Sequence, residues 1–593
     1  LWLLPVSRCD NPAAMNSTSF LEEAAKALGP DAMSALGMSI RPSVEELQTL
    51  AHAMLEALRE RPEAFEQRLT EFYTAQFALW QTLLPGSKAG PAVDANPPPE
   101  DSSSHGDWSD SPWFRYARAQ HELWSRHASA LRDLLDLRDM PGRRLAFLLR
   151  QSIEASDPDN FFVTNPDAIR RAIATQGESV ARGLRNLAQD IERGSIRMSD
   201  EHALALGRDI AATAGHVVWE SPIAQLIQYR PITSRVRARP LVIVPPFINK
   251  YYILDLRPEN SFVRFALASG FQVFLVSWRN GCAETAASGW DDYVRGGVLE
   301  AMRAAGRISR TRRVNLLGYC VGGTLCATAA ALVQPEHRAP LASLTLLTTL
   351  LDFKEPGELG VFVDDAFLHQ LEAADGRNGL MPARHIAAAF SSLRARELVW
   401  HFVERNYLFG ETPPVMDLLH WNSDGADVPA PLFSQYLRKM YLENTLVRPG
   451  TMNVLGEPVD LSTIGVPSYM LAAIKDHIVP WQSAYRGLRL LSGDKRFVLT
   501  ESGHVAGVVN PPGLRSRGHW VSKTIAGTPE EWFHGAEHRA ESWWTDWAGW
   551  LASHSGAWKP APSAPGGAGL AATEAAPGRY VQSVSGRRAA AGS

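Results

Sequence analysis

The chain has 593 residues, 45% of them apolar and 21% charged, with a formal net charge of −4. That length leaves room for roughly two to four domains and a large core, and the near-neutral balance excludes the broad basic face of a nucleic-acid or anionic-lipid binder. The 4 cysteines, Cys9, Cys282, Cys320 and Cys326, show neither disulfide-framework density nor a Cys-x-x-Cys zinc spacing, which fits a reducing cytoplasm, and no apolar run is long enough for a transmembrane segment.

Met15, followed by Asn-Ser-Thr-Ser-Phe20, is the expected translation start, which would leave residues 1–14 outside the native chain. Ser43-Val-Glu-Glu46 reads as a capping box. After it Leu47, Leu50, Met54, Leu58, Phe65, Leu69, Phe72, Phe77, Trp80 and Leu84 recur at helical spacing, interrupted at Pro62. This stripe is expected to face a core rather than a lipid or a partner. Pro85 to Ser111, rich in Pro, Ser and Asp, predicts a flexible linker or long loop, and helical patterns resume from Pro112 to about Ala214.

From Leu241 short β-branched runs alternate with helical segments: Leu241–Val244, Val273–Val276, Val314–Leu317, Leu344–Thr348, Tyr469–Ala473 and Phe497–Leu499. Such nearly continuous apolar strands predict a parallel sheet covered on both faces. The interval from Asp352 to about Thr463 breaks the rhythm with Trp400, Tyr407, Trp421, Tyr436 and Tyr441, and is expected to be a cap that excludes water and holds an apolar group. The tryptophans from Trp532 to Trp558 are expected as core and surface anchors. From Pro560 onward Pro, Ala and Gly dominate and predict a mobile tail.

The stretch Val314-Asn-Leu-Leu-Gly-Tyr-Cys-Val-Gly-Gly323 is a strand entering a Gly-x-Cys-x-Gly turn, followed by small, helix-permissive residues. A strand, a sharp turn and a helix form the nucleophile elbow of α/β-hydrolases, where flanking glycines are needed because a Cβ would strike neighbouring backbone. Cys320 is therefore the candidate nucleophile, with a helix N-terminus directed at its sulfur. An elbow requires an acid and a histidine later in the chain, each after a strand. Asp476 follows Tyr469–Ala473, and His504 follows Phe497–Leu499 within Glu501-Ser-Gly-His504. The expected fold is thus α/β, an α/β-hydrolase fold with a cap insertion, preceded by a mainly helical N-terminal domain. Its parts are expected over 1–214 (linker or loop at 85–111), 215–559 (cap about 352–463) and 560–593 for the tail.

The oxyanion hole is expected from the backbone N–H of Val321 and of Phe247 or Ile248, since Pro245 and Pro246 have no N–H to offer. His477 beside Asp476 is expected as a supporting residue rather than the base, with Trp421 and Tyr441 in the cap. His534 and His538 have helix-face spacing but no evident third ligand, so no metal is expected. A thiol nucleophile attacking a thioester makes another thioester of nearly equal free energy, which keeps the acyl group activated for transfer to a hydroxyl.

These motifs resemble poly(3-hydroxyalkanoate) synthases, which polymerise 3-hydroxyacyl-CoA into storage polyester. The resemblance runs from about Pro112 to Trp558 through Phe161-Phe-Val-Thr-Asn-Pro166, Pro245-Pro-Phe-Ile-Asn-Lys-Tyr-Tyr-Ile-Leu-Asp-Leu256, Ser277-Trp-Arg-Asn280, the Cys320 box, Leu350-Leu-Asp-Phe353, Leu419-His-Trp-Asn-Ser-Asp424, Tyr441-Leu-Glu-Asn444 and Asn510-Pro-Pro512. Gly578-Arg-Tyr-Val581 is similar to the family's C-terminal signature. Length and single-chain organisation resemble the class I type, with short-chain monomers such as 3-hydroxybutyryl-CoA. The chain departs from the family at Gly281-Cys282, where Pro is usual, and over Pro85–Ser111. The resemblance implies that Cys320 is acylated, that His504 activates Cys320 and the incoming hydroxyl, and that Asp476 either orients His504 or assists the 3-hydroxyl. It also implies a homodimer on the surface of cytoplasmic polymer granules, without metal or cofactor. Two alternatives stand beside it: a Cys-dependent polyester depolymerase or acyl-CoA thioesterase, and a non-catalytic granule-coating protein.

Overall fold

The computed structural model describes residues 44–82, 108, 111–135, 140–200, 203–333, 340–365, 367–369, 371–372, 379–513 and 517–583. The chain divides into two compact units, one made of residues up to Asp200 with Ala388–Pro414, the other of Glu201–Ala387 with the chain from Val415 onward. Residues 388–414 lie within the interval expected as the cap, yet they pack with the N-terminal helices, and the division falls at 200 rather than 214.

The first unit is helical: Val44–Glu60, Pro62–Gln81, Pro112–Leu134, Met140–Ala155, Pro166–Ala174 and Glu178–Arg193. The break at Pro62 is where the stripe was expected to be interrupted, and Pro opens the second helix at a position where its missing N–H costs nothing. The stripe divides. Phe65, Leu69 and Phe72 are half-buried, while Leu58, Phe77 and Trp80 are 46%, 61% and 56% exposed, so the expectation of a wholly core-facing stripe is met at its middle and not on either side of it. The helix Glu178–Arg193 lies so close to the 388–414 segment that a Cβ on Gly183 would stand 1.9 Å from the carbonyl oxygen of Tyr407. Buried Asp190 accepts a hydrogen bond of 2.8 Å from the Tyr407 hydroxyl, and Asn165 donates one of 2.9 Å to the Glu404 carboxylate. The capping box at Ser43, the first 14 residues and nearly all of Pro85–Ser111 lie outside the described residues.

The second unit is built on one sheet. Its strands, in chain order, are β1 (Gly215–Glu220), β2 (Ala224–Tyr229), β3 (Leu241–Val244), β4 (Val273–Trp278), β5 (Val314–Tyr319), β6 (Leu341–Leu347), β7 (Ser468–Ala473), β8 (Lys495–Thr500), β9 (His519–Val521), β10 (Glu537–Arg539) and β11 (Glu574–Ala575). Across the sheet they run β10-β9-β8-β7-β6-β5-β3-β4-β2-β1-β11. The strands from β3 to β8 pair in parallel, and every residue of β3, β4, β5, β6 and β7 is buried. That is why these segments read as mostly apolar runs: helices cover both faces, and the few polar side chains inside, such as Asn315 and Ser343, are buried and hydrogen-bonded to one another. The chain passes from β3 to β4 on one side and then crosses to β5 on the other. Such a reversal opens a crevice at the carboxyl ends of the strands, the usual place for a ligand in an open α/β sheet.

Antiparallel strands widen the sheet at both edges, β2 and β1 on one side and β9 and β10 on the other. The final addition corrects the expectation of a mobile tail over 560–583: β11 pairs with β1, matching His216 to Ala575, and Tyr580 and Val581 are 8% and 1% exposed. Trp543, Trp544 and Trp547 are fully buried around Phe262. No helix among the described residues is long and apolar enough to cross a membrane.

Candidate active site

Cys320 stands between β5 and the helix Val321–Val333 with a φ of 53°, a left-handed conformation that costs a side-chain-bearing residue free energy and is tolerated where the fold over-determines it. Three glycines permit the bend. A Cβ on Gly318 would lie 2.4 Å from the Cα of Gly323, one on Gly322 would lie 2.4 Å from the oxygen of Val244, and one on Gly323 would lie 2.0 Å from Oγ1 of Thr349. Two hydrogen bonds hold the turn: Cys320 N–H donates to Leu347 O at 2.9 Å, and Gly323 N–H donates to Cys320 O at 2.8 Å. The Cys320 side chain is only partly buried. Cys326, one turn into the helix, is fully buried, and that burial pushes its thiol well up, out of reach of nucleophilic chemistry.

Asp476 leaves β7 in a tight turn, its Oδ1 accepting the backbone N–H groups of Ile478 and Val479, each at 2.9 Å. Oδ2 is 2.7 Å from Nδ1 of His504. The carboxylate thus has one oxygen fixed by its own loop and the other on the imidazole. His504 follows β8, with its ring stacked on Tyr319 at 5.7 Å. The tryptophan indoles of the last long helix hold the chain just beyond it: Trp543 Nε1–H donates to Gly507 O at 2.8 Å and Trp544 Nε1–H to Val508 O at 2.9 Å. Burial opposes a charged ring, but the Asp476 carboxylate and then the Cys320 sulfur, which shares a hydrogen bond with the imidazole, outweigh it and raise His504 to about 10. With Nδ1 committed to Asp476, Nε2 is the nitrogen left for the sulfur.

Phe247 is buried, with its ring 5.5 Å from Tyr293 and 6.2 Å from Tyr436. Ile248 is half-buried, and its carbonyl accepts the Ala426 N–H at 3.1 Å. Val321 is the first residue of its helix, where an N–H has no partner four residues back. Trp421 sits in the main core, against which Cys320 also packs, and its Nε1–H donates to Lys250 O at 2.7 Å. Asp424 joins it beneath the loop after β3, 2.7 Å from Lys250 Nζ and accepting the Tyr252 hydroxyl at 2.8 Å. His477 is half-buried, and its carbonyl accepts the Glu358 N–H at 3.0 Å.

Tyr441 does come to the site, together with Tyr436 of the expected cap and Phe353, which sequence reasoning did not single out for it. Its ring lies 5.1 Å from Phe353 and 5.5 Å from Tyr436. Burial raises both phenols, the Tyr436 and Tyr441 hydroxyls share a hydrogen bond, and each lies near enough to Cys320 to interact with it electrostatically. The signal that could have placed Phe353 is its position at the very start of the cap interval, directly after the strand β6 and its following turn. His534 and His538 do not converge: one bonds Glu530 O, the other Glu501, and the described residues contain no group of His, Cys, Asp or Glu suited to a metal.

A sheet of this order, with a Gly-flanked nucleophile turn after β5, a carboxylate after β7 and a histidine after β8, defines a protein of the α/β-hydrolase fold. The family model described as alpha/beta hydrolase fold matches residues 240–511, and the one described as poly-beta-hydroxybutyrate polymerase (PhaC) N-terminus matches residues 102–266. The chain is 44% identical to the poly(3-hydroxyalkanoate) polymerase subunit PhaC of Cupriavidus necator, over 85% of its own length and 86% of that protein's. It is 39% identical to the protein of that name from Rhizobium meliloti, over 85% and 84%, and 36% identical to that from Rhizobium etli, over 92% and 87%. The chain belongs to the poly(3-hydroxyalkanoate) polymerase family.

Proposed function

We propose that this chain polymerises (R)-3-hydroxyacyl-CoA into polyhydroxyalkanoate with release of CoA, through an acyl thioester on Cys320. The observation that carries the proposal is the sulfur–imidazole–carboxylate series of Cys320, His504 and Asp476 on an elbow in a chain of this family. His504 holds its proton through neutral pH, so the sulfur attacks the substrate carbonyl opposite an imidazolium that is ready to protonate the departing CoA sulfur. The oxyanion formed at the carbonyl is received by the N–H of Val321 and that of Phe247 or Ile248. His504, left neutral, then takes the proton of the 3-hydroxyl that attacks the new thioester. An ester forms, the Cys320 sulfur leaves as a thiolate, and the ring keeps the proton it took from the hydroxyl, which restores the starting state.

In this reading Asp476 orients His504 and balances its charge. With Oδ1 bound to two backbone N–H groups and Oδ2 on the ring, the carboxylate is committed, which favours orientation over assistance to the substrate hydroxyl. Tyr441, Tyr436 and Phe353 bound the acyl group, while Trp421 and Asp424 support the loop after β3 and His477 supports the turn at Asp476. The class I organisation, a homodimer, a cytoplasmic location and attachment to the polymer granule belong to the same proposal. The exposed Phe77 and Trp80 of the helical unit are suited to an apolar polyester surface.

The test is incubation with 3-hydroxybutyryl-CoA and medium-chain analogues, following CoA release together with insoluble polyester. CoA release with polymer is expected from the native chain and neither from Cys320→Ala. CoA release with free hydroxy acid and no polymer would make the chain a thioesterase, and polymer from Cys320→Ala would remove the thiol from the mechanism.

A further inference from the structure

The C-terminal segment from Glu574 to Val581 makes more specific contacts than a two-residue edge strand requires. Arg579 pairs with both Glu220 and Glu574. The Tyr580 hydroxyl donates to Ser221 O at 2.9 Å and lies 3.3 Å from Glu220 Oε1, while its backbone N–H donates to Gln225 Oε1 at 3.3 Å. Gln225 is fully buried, so its amide has been desolvated to receive this strap. Gly578 is needed for the approach: its φ is 77°, and a Cβ there would lie 2.6 Å from that same amide oxygen.

The strap also reaches beneath the loop after β3. The Tyr251 hydroxyl donates to Pro577 O at 3.3 Å. Tyr580 and Val581 close one side of a cavity of about 10 Å³, room for a single water, whose other walls include Asn249, Lys250, Tyr251 and Ser277. The Ser277 hydroxyl is buried without a protein partner among the described residues, as a side chain facing a water site would be. From the same wall Trp278 Nε1–H donates to Pro245 O at 2.9 Å, and its ring stacks on Tyr293, which meets Phe247. The Arg279 guanidinium lies 5.4 Å over the Tyr580 ring.

We infer that the strap Glu574–Val581, chiefly through Tyr580, positions the loop Pro245–Asn249 and so sets the oxyanion donors of Phe247 and Ile248 against Cys320; the inference rests on the oxyanion assignment proposed above. Tyr580 is a positioning residue: it walls the cavity opposite Asn249, Lys250 and Tyr251, Pro577 of the same strap receives the Tyr251 hydroxyl, and it touches no reacting atom. An oxyanion donor displaced by about 1 Å loses on the order of a hundredfold in rate, while the nucleophile itself is unaffected.

The experiment separates these two effects. Native protein, Tyr580→Ala, Tyr580→Phe and a chain ending at Thr573 are compared for kcat and KM of CoA release from 3-hydroxybutyryl-CoA, for the rate of Cys320 alkylation by iodoacetamide, and for thermal melting. Alkylation displaces iodide at a saturated carbon and develops no oxyanion. For Tyr580→Ala we expect kcat to fall about 10- to 100-fold with KM and the alkylation rate within about twofold of native. Tyr580→Phe, which keeps the ring against Arg279 and at the cavity wall, restores most of the loss. An unchanged kcat overturns the inference, and so does an alkylation rate that falls in step with kcat, because the strap would then be supporting the whole elbow. Should the shortened chain fail to fold, Tyr580→Ala decides alone. A native chain that releases no CoA contradicts the proposed function instead, a result readable without any variant.

Discussion

Tyr436 and Tyr441, five positions apart, hold their rings 5.5 Å from each other because the turn from Leu437 to Leu442 is a π-helix. In an α-helix, residues five apart point away from each other, since 3.6 residues make a turn. The wider i→i+5 turn returns the second residue nearly above the first, and such turns gather at functional sites. The two rings with Phe353, which lies 6.1 Å from one and 5.1 Å from the other, form an aromatic wall near Cys320.

That wall should set how long an acyl chain the site accepts. Removing one ring with Tyr436→Ala opens space worth several methylenes, each about 1–3 kcal/mol of discrimination in an apolar pocket. The incorporation of medium-chain monomers relative to 3-hydroxybutyrate is expected to rise at least about tenfold, read from the composition of polymer made from a mixed supply. An unchanged composition would mean that the acyl group lies elsewhere.

The His504–Asp476 pair makes a prediction about pH. The folded ring binds its proton up to about 10, whereas an unfolded histidine releases it near 6.5. A group whose proton is held more tightly in the folded state contributes stability that is fully present below the unfolded value and lost as pH rises through the folded one. Melting temperature is therefore expected to decline between about pH 6.5 and 10, and the His504→Gln variant should lack that part of the decline. Asp476→Asn removes the largest charge favouring the protonated ring, and CoA release should drop by about a hundredfold or more. A variant titrating like the native chain would show that the carboxylate does not hold the proton in place.

Two glycines offer opposite outcomes from one substitution. In Gly322→Ala the new methyl meets the oxygens of Val244 and Pro245 at 2.4 and 2.5 Å, both backbone atoms. It can be accommodated only by moving the elbow or the loop beside it. The cost should be about 1–3 kcal/mol or more in denaturant melts, with loss of CoA release. Gly549 lies exposed within the helix Trp543–His554 with nothing near its position for a Cβ. Gly549→Ala should stabilise the chain by about 0.5–1 kcal/mol and leave its activity alone.

The contrast between these glycines shows what the sequence could carry. Gly318 and Gly322 flank a cysteine at the end of an apolar run, so both the need for a close approach and its location could be read locally. The order of Cys320, Asp476 and His504 was legible for the same reason: each follows a short strand with a mostly apolar stretch of sequence. What was not legible depends on partners far along the chain. β11 is a Glu-Ala pair in a Pro, Ala and Gly-rich stretch, and only the free edge of β1 makes it a strand. Trp421 read as a cap or supporting residue, and its bond to Lys250 O in the loop after β3, 171 positions away, could not be read from its own segment. The π turn carries no mark in composition, because Leu437–Leu442 would suit an α-helix equally well. The membership of residues 388–414 in the helical unit is decided by Gly183, Asn165 and Asp190, each more than 200 positions away.

Lys250 and Asp424 supply the last test, because they tie the segment after Trp421 to the loop that carries the proposed oxyanion donors. Nζ and Oδ1 are 2.7 Å apart, with the lysine side chain only 6% exposed and the aspartate 21%. Removing one member of such a pair strands the other as an uncompensated charge, which costs about 3–5 kcal/mol when both are fully buried. Partial exposure of Asp424 lets water take over some of that role, so Asp424→Asn is expected near the low end, about 3 kcal/mol, in urea unfolding. The Tyr252 hydroxyl, also bound to Asp424, still finds an acceptor in the amide oxygen, so the loss reports the charge. Lys250→Met combined with Asp424→Asn should recover much of the stability, since no charge is then left behind, whereas CoA release should stay low if the tether itself aligns the loop. Equal stability of the single and double variants would mean that the pair is solvated in practice and that Trp421, through Lys250 O, holds the loop by itself.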